Sequence, residues 1–114
     1  MEKLYDLEYL EEISGGDKDF IIDMLNDFVV CTPETLAEID GHIQKADWAE
    51  LYKTVHRFIP SFDFVGAENI RNNLRILESC AKTQTDIDKI PHLIVGIKSF
   101  CQNIITEIKT DFKL

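Results

Sequence analysis

The chain has 114 residues, 45% hydrophobic and 29% charged, the size and composition of one soluble globular domain, which excludes disorder, collagen and low-complexity sequence. Twelve Lys and Arg against 21 Asp and Glu give a net charge of −9, a sign that repels phosphate backbones and anionic lipid, so neither nucleic acid nor membrane is an expected partner. No apolar run approaches the roughly 20 residues of a membrane span, and the start Met-Glu-Lys-Leu-Tyr-Asp lacks a signal peptide's basic then apolar layout, which points to the cytoplasm.

Apolar residues recur at steps of three and four, and no β-branched run alternates with polar residues, so the elements read as helices. Asp6 is placed to cap a short helix that runs through Ile13 and stops at Ser14-Gly15-Gly16. Asp17 caps a second helix with Phe20, Ile21, Met24, Leu25, Phe28 and Val29 on one face. Thr32-Pro33 has the form of an N-cap followed by proline at the first helical position, which predicts a third helix on Leu36, Ile39 and Ile43. Asp47 caps a fourth helix carrying Trp48, Leu51, Val55, Phe58, Phe62 and Val65, closed by Gly66. A fifth uses Ile70, Leu74 and Leu77 and ends in the polar stretch from Lys82 to Asp86. The last starts near Asp88 and Pro91 and carries Leu93, Ile97, Phe100, Ile104 and Ile108. Four of these are long and amphipathic enough to share a core. The expected fold is a single all-α domain over residues 1–114: an antiparallel up-down four-helix bundle with short N-terminal helices leading in.

Conventional chemistry is hard to find along this chain. There is no Gly-rich phosphate loop, no His-x-x-x-His or Glu-x-x-His metal pair, and no nucleophile with a local base, so neither an enzyme active site nor a metal site is expected. Cys31, Cys80 and Cys101 are far apart among apolar neighbours and read as small buried hydrophobes. His42 and His92 read as surface residues. His56 differs, because at about 100° per residue it projects roughly 130° from the middle of its helix's apolar seam. Tyr52 and Ile59 lie between it and the core, while Lys53 and Pro60 lie on its outer side. An exposed imidazole ringed by apolar groups and one Lys suggests a docking site.

The stretch around that histidine resembles a known pattern. Asp47-Trp48 followed by Leu51-Tyr52-Lys53-Thr54-Val55-His56-Arg57-Phe58-Ile59-Pro60-Ser61-Phe62-Asp63-Phe64-Val65-Gly66 is similar to the active helix of histidine-containing phosphotransfer (HPt) domains, roughly A-H-x-L-K-[GP]-S-x-x-x-x-G after an acidic-plus-Trp start. The likeness extends to Tyr5 through Leu10, Ile13 through Phe20, Phe28 through Pro33 and the tail from Ile90. The resemblance implies a monomeric phosphorelay carrier rather than an enzyme. His56 would take a phosphoryl group from the aspartyl phosphate of a receiver domain, in a response regulator or hybrid histidine kinase, and pass it to another receiver. No cofactor is expected on this chain, since Mg²⁺ and the acceptor Asp come with the receiver.

Two positions depart from the family pattern. Ile59 stands where the family usually has a Lys to neutralise the phosphoryl oxygens, so Lys53, one turn before His56, and Arg57 are the expected substitutes. Phe62 replaces a small residue and is expected to point inward. Ser61 matches the family, whose pattern implies a hydroxyl that helps order the phosphoryl site; the alternative is a small helix residue bonding back to a carbonyl one turn earlier. Tyr52, Ile59 and Pro60 are the expected docking surface. Pro60 removes the helical hydrogen bond to the His56 carbonyl and marks a bend or a tolerated kink. The alternative function is a degenerate HPt-like module that docks receivers or kinases without carrying phosphate. A third possibility, a bundle enzyme or cofactor protein, needs polar residues on the inward faces, and these are apolar.

Overall fold

The computed structural model describes residues 4–114, which form five α-helices and a single 3₁₀ turn, with no strand among the described residues. The helices are α1 (Glu8–Ser14), α2 (Lys18–Gln44), α3 (Trp48–Phe64), α4 (Glu68–Thr83) and α5 (Ile90–Phe112), the last entered through the 3₁₀ turn Ile87–Lys89. Helices α2 to α5 pack antiparallel, with α1 laid against α2 and α3, so the expected four-helix bundle is the observed one. The most extensive contact between helices joins α3 to α4.

Local chemistry sets most of the boundaries where the sequence placed them. The Asp17 carboxylate accepts from the backbone N–H groups of Asp19 and Phe20 and starts α2. Asp47 accepts from the Glu50 N–H and starts α3. Asp6 accepts from the Glu8 N–H at 2.8 Å, although Leu7 occupies the cap position of α1. Gly66 ends α3 with φ +64, and a Cβ there would lie 2.6 Å from the Asp6 Cβ. Only glycine suits both the left-handed backbone and the close approach. The Asp6 N–H donates to the Val65 carbonyl at 2.7 Å, which ties the N-terminal segment to the end of α3.

The expected break at Thr32-Pro33 is absent. Helix α2 runs unbroken for 27 residues with Pro33 inside it. The reason is tertiary: Ile21, Leu25, Phe28, Val29, Thr32 and Ile39 are all buried on one face, so ending the helix would strip that face from α3 and α5. Keeping the helix intact costs the hydrogen bond that residue 33 would donate to Val29. Thr32 is no cap but a core residue, fully buried, with a hydroxyl that finds no partner.

The core is built from α2 to α5. Phe62 is fully buried, as expected, and edge-on to Phe28 and Phe58, with ring centroids 5.5 and 4.9 Å away. Helix α5 turns Ile90, Ile94, Ile97, Cys101, Ile104, Ile105 and Ile108 inward. Phe100, expected in that seam, sits at the surface because its neighbour Cys101 holds the core position. Cys80 and Cys101 are buried, whereas Cys31 on α2 is exposed, against expectation. No helix among the described residues is long and apolar enough to cross a membrane.

Candidate functional site

Helix α3 presents Ala49, Lys53, His56, Arg57 and Pro60 to solvent along one side. Its opposite side, with Leu51, Val55, Phe58 and Phe62, lies in the core. The His56 side chain is 69% exposed, in agreement with its angle on the helix. Its surroundings, however, come from the neighbouring helix. Glu78 on α4 places Oε2 2.6 Å from His56 Nδ1, and the Glu78 side chain is only 17% exposed. A carboxylate only accepts, so Nδ1 carries the proton in this pair. In the neutral imidazole the Nε2 lone pair therefore faces solvent.

Tyr52, half-buried one turn before His56, stacks on the imidazole with centroids 5.8 Å apart and planes inclined by 23°. The Lys82 ammonium lies over the same Tyr52 ring, 5.7 Å from its centroid. The site is thus a short strip across the α3–α4 seam, with Tyr52 and His56 on one helix and Lys82 and Glu78 on the other. Further along the same seam Arg71 donates to Asp63 at 2.9 Å. These three cross-helix pairs straddle Ala67 at equal separations, the register of a helical hairpin turning at Gly66-Ala67.

The expected site residues divide. Lys53 is exposed and bonded to Glu50 at 3.4 Å, along its own helix. Arg57 reaches back to Glu38 on α2 at 3.3 Å, on the flank away from α4. Pro60 is exposed next to His56, and α3 continues past it to Phe64. Ile59 is the clear correction: it is 5% exposed and belongs to the core, because α4 covers the flank that the helix alone leaves at the boundary. Its place in the docking surface falls away. Ser61 is also displaced, since it lies about 140° around α3 from His56. It lines a cleft of about 190 Å³ between α2 and α3, with Thr32, Thr35 and Phe58.

Glu78 and Lys82 are the residues that reading α3 alone missed. A larger cleft of about 530 Å³ beside the α3–α4 turn, lined by Asp63, Gly66, Arg71 and Phe100, also excludes His56. His42, expected at the surface, is half-buried and shares a 3.1 Å hydrogen bond with the buried Thr54 hydroxyl. Among the described residues no group of three or more His, Cys, Asp or Glu side chains is arranged to hold a metal ion.

The arrangement suits nucleophilic acceptance at a surface: one imidazole nitrogen is held, the other is open, and cations stand on the exposed rim. All three arginines of the chain, Arg57, Arg71 and Arg75, lie on α3 and α4, where Arg57 pairs with Glu38 and Arg71 with Asp63. Comparison with known proteins adds no relative: no family model, no curated protein and no solved structure matches this chain.

Proposed function

We propose that this domain is a phosphorelay carrier that receives a phosphoryl group on His56 Nε2 from a receiver-domain aspartyl phosphate and passes it to a second receiver. One observation carries the reading: an exposed histidine whose Nδ1 is held at 2.6 Å by Glu78 while Nε2 is left open to solvent. The resemblance of the α3 sequence to HPt domains supports it. In this reading the chain acts as a monomer in the cytoplasm, where receivers of response regulators and hybrid kinases reside.

The step is an in-line displacement. The Nε2 lone pair attacks phosphorus, the bond from phosphorus to the aspartyl oxygen breaks, and the carboxylate leaves with the electron pair. The imidazole becomes an N-phosphoimidazolium that retains its Nδ1–H, and the Glu78 carboxylate balances the positive ring. Return of the group to a second aspartate reverses each change. The chain needs no base, because the attacking nitrogen carries no proton. Mg²⁺ and the acid residues that hold it belong to the receiver.

A specific feature favours a second reading, a module that docks receivers without carrying phosphate: position 59 holds a buried Ile rather than an exposed cation. Radiolabelled phospho-receiver mixed with the wild-type chain and with His56→Gln separates the two. Acid-labile, base-stable label on the wild type alone supports the carrier. Binding of the receiver without label on either protein supports the docking module.

A further inference from the structure

The carrier reading leaves the phosphoryl group without its usual neighbour, since Ile59 is buried. A phosphoryl group on Nε2 carries about two negative charges and gains from an ammonium or guanidinium within reach. Which cation serves it is a question of geometry. On α3, Lys53 is turned along the helix to Glu50 and Arg57 is turned across to Glu38 on α2. Both therefore lean away from the α4 side, where the imidazole is anchored.

Lys82 stands differently. It is one turn beyond Glu78 on α4, it is exposed, and it takes part in no ion pair among the described residues. Its ammonium rests over the Tyr52 ring at 5.7 Å, and that ring stacks on His56. Tyr52 is thus a shelf shared by the imidazole and the ammonium. At this distance an exposed cation–π contact is weak and easily left. A charge-assisted hydrogen bond to a phosphoryl oxygen is stronger.

Resting on the carrier reading, we infer that Lys82, reaching from α4 across the Tyr52 ring, is the cation that neutralises the phosphoryl group on His56, in place of a cation at position 59. Tyr52 keeps the ammonium beside the site before phosphate arrives, and the long lysine stem lets it swing onto the oxygens as charge builds.

Phosphoramidate, a small donor that needs no docking surface, tests this directly. In that reaction the Nε2 lone pair attacks phosphorus, the P–N bond of the donor breaks, and ammonia leaves with the bonding pair. The rate of phosphohistidine formation is followed by ³¹P NMR for the wild type, Lys82→Gln, Lys82→Arg and Lys109→Gln, at low and high salt. Lys109 is an exposed lysine on α5 and controls for the loss of one positive charge. Lys82→Gln is expected to slow phosphorylation about tenfold at low salt, Lys82→Arg to restore most of the rate, and high salt to narrow the gap because exposed charges are screened. A rate for Lys82→Gln equal to that of a labelled wild type would overturn the inference and leave the carrier reading standing. A wild type that takes no phosphate from phosphoramidate or from phospho-receivers would overturn both.

Discussion

Glu78 and His56 meet across two helices through a 2.6 Å contact in which one partner is largely buried and the other largely exposed. The asymmetry matters. The carboxylate is held by α4, the imidazole stands out from the core with Tyr52 stacked on it, and the contact fixes which nitrogen faces a partner. A pair with one partner this exposed contributes little to stability, about 1 kcal/mol or less. Its effect falls on reactivity.

In the carrier reading, Glu78→Gln retains an acceptor for Nδ1–H but removes the charge that balances the phosphoimidazolium, and Glu78→Ala removes both. Phosphorylation of His56 is expected to slow about tenfold in Glu78→Gln and further in Glu78→Ala, with thermal stability little changed. Rapid-quench measurement of transfer from a phospho-receiver reads this out. Equal rates in all three proteins would show that Glu78 plays no part.

Ile59→Asp places a charge under α4 and is expected to destabilise the bundle by about 3 kcal/mol or more, in contrast to a surface substitution at Lys53 or Pro60. Urea denaturation compares them. An Ile59→Asp protein with wild-type stability would mean that the side chain escapes to solvent.

Gly66→Ala meets both the positive φ and the Asp6 contact. The expected loss is about 1–3 kcal/mol, which lowers Tm by roughly 5–15 °C in a chain of this size. Calorimetry would detect it, and an unchanged Tm would show that the N-terminal segment yields freely.

Thr32→Val keeps the shape of a fully buried side chain and removes a hydroxyl that has no partner. Stability is expected to rise by about 1 kcal/mol, because a buried polar group is no longer desolvated without compensation. A loss of stability would reveal a hydrogen bond to that hydroxyl.

The three thiols are expected to separate on treatment with a thiol reagent at pH 8. Cys31 reacts in the folded protein, while Cys80 and Cys101 wait for unfolding. Burial pushes the Cys101 thiol up from 9.0 to about 12. Between those values the unfolded chain has lost a proton that the folded chain keeps, so stability contributed by this group is present below pH 9 and declines as pH climbs towards 12. Rapid modification of all three thiols in the native state would contradict the burial.

How much of this was legible in the sequence depends on which residues had to be consulted together. The caps at Asp17 and Asp47, the stop at Gly66 and the exposure of His56 each follow from a few neighbouring residues, and each holds. Thr32-Pro33 carried a local start signal that the shared apolar face of α2 overrode. Ile59 and Glu78 went astray for one common reason. A wheel drawn for α3 alone locates its own seam but not the helix that will cover its flank. The acid and the lysine that complete the site lie on that covering helix.

The symmetry of the α3–α4 hairpin about Ala67 makes the spacing of the turn as consequential as any side chain in the strip. Adding one residue between Gly66 and Glu68 would rotate α4 relative to α3 by about 100° and carry Glu78 and Lys82 away from His56, with every amino acid of the strip still in place. Homologues of this domain should therefore tolerate changes of residue along the seam more readily than changes of length at the turn, and a single-codon insertion there would silence the histidine without altering it.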